Sequence, residues 1–71
     1  MQEPQLFAVV ALRVGIPELG LVAGQVGTLV EALEPGVYEV EFSDQDGRTY
    51  ATAALSVDDV MVLHYEPTAA A

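Results

Sequence analysis

The stretch Val37-Tyr38-Glu39-Val40-Glu41-Phe42-Ser43, followed by Asp44-Gln45-Asp46-Gly47, decides how this chain folds. Side chains of a β-strand alternate between the two faces of a sheet. Here Tyr38, Val40 and Phe42 fall on one face, and Val37, Glu39, Glu41 and Ser43 on the other. One face is therefore expected to be buried and the other wet and acidic. Asp46-Gly47 is a strong hairpin signal, because a tight turn needs a residue that tolerates positive φ. Arg48 to Leu55 then returns as the next strand, with Arg48 placed to pair across the turn with one of its aspartates.

Toward the N-terminus, Glu34-Pro35-Gly36 reads as a second turn, Pro presetting the second turn position and Gly the third. Gly24 to Leu33 precedes it as a strand. Val26 and Leu29 both look like core residues but lie three apart, so a β-bulge at Gly27 is expected to reset the alternation. The segment from Gly15 to Gly24 contains Pro17 and Gly20 and reads as a long connecting loop, with Ile16, Leu19, Leu21 and Val22 folded back onto the core. Leu6 to Val14 is a nearly continuous apolar run rich in β-branched residues, whose length favours a strand buried on both faces.

Toward the C-terminus, Ser56-Val57-Asp58-Asp59 reads as a one-turn 3-10 corner with Ser56 as its N-cap. Val60 to Tyr65 is the last strand. Residues 1–5 are expected to be a flexible lead-in and 66–71 a disordered tail, leaving 6–65 as one domain. The expected fold is all-β, a small five-stranded SH3-like barrel with a long first loop and a 3-10 turn before its last strand. An OB-type barrel is the rival, but it usually needs more residues and a longer helix.

A chain of 71 residues makes one domain with a thin stability margin. It has no cysteine, so disulfides and thiolate-metal sites are excluded. Hydrophobic residues make up 52%, slightly high for so small an interior, which points to oligomerisation as a supplement. Eleven carboxylates face only Arg13 and Arg48, giving a formal net charge of −9. Such a chain repels the phosphates of nucleic acid and an anionic membrane surface alike. No basic leader and no long apolar run is present, so a cytoplasmic location is expected.

Each candidate for chemistry meets a plainer alternative. Asp44, Asp46 and Gly47 superficially match part of a calcium loop, but that alignment puts Phe42 and Ala53 at ligand positions, and neither binds calcium. His64 is the single histidine, and the only serines, Ser43 and Ser56, sit in turn-like contexts. No nucleophile, base and orienting group can be assembled from these residues, so no enzymatic activity and no cofactor are expected. Glu39 and Glu41, with Glu31 on the neighbouring strand, lie on a convex outer face rather than in a pocket that would shift their pKa values. Their functional meaning is then a negative patch for a basic partner.

Gly24-Gln-Val-Gly-Thr-Leu-Val-Glu-Ala32, Gly36-Val-Tyr-Glu-Val-Glu-Phe42 and Asp46-Gly-Arg-Thr-Tyr50, together with Pro17 to Gly20, resemble a family of short, mostly bacterial proteins known as domain of unknown function 4926. The resemblance spans about Leu6 to Leu63. It implies an SH3-like fold and carries no assigned activity. The shorter run Gly24 to Val30 resembles the KOW motif of ribosomal and transcription-elongation proteins, which implies RNA contact. The lysines and arginines such contact uses are missing here.

The expected function is a non-enzymatic protein-binding module. Its sharper form is an acidic inhibitor or antitoxin-like partner of a basic protein, bound through Glu31, Glu39, Glu41, Asp44 and Asp46. The alternative is a homo-oligomer or small subunit held through the apolar loop at Ile16, Leu19 and Leu21.

Overall fold

In the computed structural model, which describes residues 3–67, the chain forms a five-stranded antiparallel sheet. Its strands are β1 (Val9–Leu12), β2 (Val26–Glu34), β3 (Val37–Ser43), β4 (Thr49–Ser56) and β5 (Val60–Val62), in the spatial order β4-β3-β2-β1-β5. Short 3-10 turns at Pro17–Leu19 and Val57–Asp59 complete the element order. The all-β expectation holds. Closure into a barrel is not seen, because β4 and β5 stand as two separate edges. β5 pairs with β1 over three residues, and no ladder joins it to β4.

β3 follows its alternation residue by residue. Tyr38, Val40 and Phe42 are buried, and Glu39 and Glu41 lie half-buried on the opposite face. With Val10, Leu12, Leu21, Leu29 and Val60, the three inward residues of β3 form the core. The β2–β3 turn places Gly36 at φ 79°, where glycine avoids the Cβ clash. The β3–β4 turn closes by Gly47 N–H donating to the Asp44 carbonyl at 3.0 Å.

β2 departs from its expected register. Val26 is 48% exposed, on the outer face, while Gly27 and Leu29 are buried. Alternation therefore runs undisturbed from Val26 to Leu29, and Gly27 is not the bulge. Gly27 lies at a close approach within the sheet: a Cβ there would stand 2.7 Å from Val40 Cγ1 and 3.0 Å from the Phe42 ring. The register shifts fall later, between Leu29 and Glu31 and between Ala32 and Glu34. The bulge at Val30 has a direct consequence. Leu29 and Glu31 are two apart, yet one faces the core and the other solvent.

The first strand is shorter than the apolar run containing it. Leu6 and Phe7 form a turn, with Ala8 N–H donating to the Gln5 carbonyl at 3.1 Å and Phe7 at φ 69°. A bulky residue in the left-handed region is rare, so this turn is held by its surroundings. One such restraint is the Phe7 N–H, which donates to the Leu29 carbonyl at 2.6 Å. The fifth strand likewise ends at Val62 rather than Tyr65.

The corner before β5 is built as its sequence implies. Ser56 is its N-cap, and its hydroxyl accepts from the Asp58 N–H at 3.1 Å. Of the expected lead-in, Met1 and Gln2 lie outside the described residues. Glu3 Oε1 accepts from the Gly36 N–H at 3.0 Å and from the Tyr38 hydroxyl at 3.2 Å. Of the expected tail, Thr68 to Ala71 lie outside the described residues, and Glu66 and Pro67 are exposed.

Candidate protein-binding face

The outer face of the sheet divides by strand. Glu31 of β2 is the direct register partner of Glu39 of β3, and Glu41 follows two residues along the same face. Glu31 is expected on this face, and the bulge at Val30 is what sets it there two residues after the buried Leu29. Across the next ladder, Glu39 lies beside Ala54 and Glu41 beside Thr52. The acidic half is thus bordered by small, uncharged side chains.

Three of the five expected acidic residues are therefore brought together. Asp44 and Asp46 sit at the end of the β3–β4 hairpin. Asp44 is engaged in building that turn: its Oδ1 accepts from the N–H groups of Asp46 at 2.9 Å and Arg48 at 3.0 Å. Arg48 thus meets an aspartate across the turn through its backbone N–H.

The other half of the outer face is apolar. Ala11 of β1 pairs in register with Val26 on one side and Met61 on the other. Val26 and Met61 are 48% and 47% exposed. The sequence does not announce this row, since the apolar Val26 is expected in the core. The signal that could have found it is Gly27, whose bare backbone marks the position where β2 approaches Val40 and Phe42.

The apolar loop is mostly taken up by the fold. Ile16 and Leu21 bridge to each other, Leu21 is buried in the core and Ile16 packs against it. Leu19 alone of the three stands out, at 45% exposure. Pro17 begins the 3-10 turn and Gly20 ends it at φ 69°, which points the Leu19 segment outward.

Tyr38 has a perturbed titration. Burial raises its phenol above the ordinary value, and the charge of Glu3 and the hydrogen bond to Glu3 raise it further. Its hydroxyl also reaches the Pro4 carbonyl at 3.1 Å. A shallow groove of about 260 Å³ runs between Glu3–Pro4 and the Arg13, Val60 and Val62 side of β5. His64 is exposed beside a second groove. Among the described residues, no group of three or more His, Asp or Glu side chains is placed to hold a metal ion. No helix among them is long and apolar enough to cross a membrane.

No curated protein and no solved structure matches the chain. A family model does match, over residues 6–62. That span contains all five strands, the acidic row and the exposed Val26–Met61 row. The chain belongs to the family described as Domain of unknown function (DUF4926).

Proposed function

We propose that this chain is a non-enzymatic, cytoplasmic, SH3-like binding module whose acidic sheet face docks a basic protein, in the manner of an inhibitor or antitoxin. The observation that carries the reading is the register of Glu31 against Glu39, with Glu41 beside them. Like charges directly opposite one another on a sheet are destabilising. Of the chain's two arginines, Arg13 is turned away from them and directs its Nε to the Val60 carbonyl on the far edge. A row maintained against its own repulsion supports a role outside the fold. Such a patch accelerates encounter with a basic partner and sets specificity.

The test is a pull-down from the native host at low and high salt, using wild type and the double variant Glu39→Lys/Glu41→Lys. A stoichiometric basic partner, released by salt and lost in the variant while circular dichroism stays unchanged, supports the reading. Retention of that partner by the variant overturns it.

A second reading, a homo-oligomer, is favoured by the exposed row of Val26 and Met61 flanking Ala11. Single apolar residues on a surface are ordinary, whereas neighbouring exposed ones support a contact site. Light scattering at rising concentration reads it. A multimer dissolved by Val26→Asp assigns the row, and one dissolved by Leu19→Asp assigns the loop.

A further inference from the structure

β4 is an edge strand, and among the described residues no backbone group pairs with its outer side. At one end Val57 N–H donates to the Gly36 carbonyl at 2.9 Å, and beyond the other Asp44 N–H donates to the Arg48 carbonyl at 2.9 Å. Hydrogen-bonded pairs alternate along an antiparallel ladder. The register therefore turns Leu55 and Ala53 toward Tyr38 and Val40, and turns the N–H and C=O groups of Thr52 and Ala54 to the free side. Thr52 and Ala54 are exposed. Natural edges are blunted by charge, proline, bulges or brevity. β4 has eight residues without a charge or a proline, and its register shift lies at the hairpin end, opposite Phe42 and Ser43.

Building on the acidic-face reading, we propose that β4 receives an extended, basic segment of a partner protein as a sixth strand. Main-chain hydrogen bonds to Thr52 and Ala54 hold that segment, as in other cases of strand addition. The new strand lies two strand spacings, about 9.5 Å, from β3. Between them on the outer face stand only the small side chains of Thr52 and Ala54, beside Glu41 and Glu39 respectively. Lys or Arg at alternate positions of the segment crosses these side chains on its apolar stem and brings its charge to the carboxylates. A second copy fits the edge less well, because it carries the same acidic row to the same face.

The probe is a synthetic eight-residue peptide alternating arginine and valine, followed by amide hydrogen exchange of the full chain. Two comparison peptides replace arginine by glutamine or carry N-methyl groups on alternate backbone amides. The expected result is that the arginine peptide slows exchange at Thr52 and Ala54 by about tenfold or more, and the other two do not. Ala54→Pro is expected to abolish the effect, since its missing N–H faces outward and leaves the β3–β4 ladder intact. The N-methylated peptide makes the same test on wild type without any demand on folding.

Binding of the arginine peptide with unchanged exchange at both amides overturns the edge site and leaves the acidic face standing. Equal protection by the glutamine peptide overturns the basic occupant, while the Glu39/Glu41 pull-down still decides the acidic face. No binding of the arginine peptide also overturns the proposal. Slow exchange at both amides in the free protein, with the mass of a dimer, gives the edge to a second copy and overturns it too.

Discussion

The two edges of this sheet receive opposite treatment. β5 is three residues long, and its exposed flank is occupied: Arg13 Nε donates to the Val60 carbonyl at 3.0 Å, and Val60 N–H bonds back to Val57. Glu3 and Pro4 run alongside, across the narrow groove. β4 is eight residues long, uncharged, and open along its middle. Guarding one edge therefore takes an arginine side chain, a capped corner and a terminal segment. Among the described residues β4 has no such cover, so its edge stands as a template for pairing with another strand.

The comparison breaks most severely at Phe42. β4 turns Ala51, Ala53 and Leu55 toward the core, and over the two alanines the bulk of the packing comes from Val40 and Phe42 of β3. Phe42 is fully buried, and its ring lies 6.5 Å from that of Tyr50. Phe42→Ala is expected to cost about 3–5 kcal/mol, read as a lowered urea midpoint. A cost below about 1 kcal/mol would show that the ladder alone holds the open edge.

Arg13 tests the guarded edge. Arg13→Ala removes the bond to Val60 and is expected to cost about 1 kcal/mol. Exchange should quicken at Met61 and Leu63, whose N–H groups face β1, and stay unchanged on β4. Arg13→Lys should behave like Arg13→Ala, since an ammonium does not reproduce the guanidinium fork. Full recovery by lysine would mean that charge, and not the bond to Val60, protects β5.

Tyr38 tests the terminal segment beside that edge. Its phenol titrates above the ordinary 10.0 because burial, and then Glu3, disfavour the phenolate. Below that value both folded and unfolded chains keep the proton, and this group contributes no pH dependence. As pH rises through 10.0 the unfolded chain ionises first, so stability falls until the folded value is passed. Urea midpoints measured upward from neutral pH should show this alkaline fall in wild type and a shallower one in Tyr38→Phe. An identical fall in both would place its cause elsewhere.

What could be read from the residues follows how local each signal was. The span of β3, both turns flanking it and the Ser56 cap rest on neighbours in sequence, and each was legible. The start of β1 was not, because Phe7 adopts its left-handed turn while bonded to Leu29, more than twenty residues away. Gly27 was legible as a special position but misread as a bulge, since the close approach that requires it comes from Val40 and Phe42. Of the acidic row, Glu39 and Glu41 could be placed from alternation alone. Glu31 was expected beside them, but the bulge that turns it outward was not legible, because no glycine or proline stands at Val30 to announce it.

Glu31 gives the smallest and most discriminating prediction. It is the register partner of Glu39, and like charges directly opposite on a sheet are destabilising. Glu31→Gln keeps size and polarity while removing one of the two charges. The variant is expected to be more stable than wild type by a few tenths of a kcal/mol at low salt, with the gain fading as salt screens the pair. It should also bind the arginine–valine peptide more weakly. Gain in stability with loss of binding is the trade expected of a residue kept for recognition. A less stable variant would show that Glu31 serves the bulge rather than a partner. A stabilised variant with unchanged binding would confine recognition to Glu39 and Glu41, the two carboxylates next to the open edge.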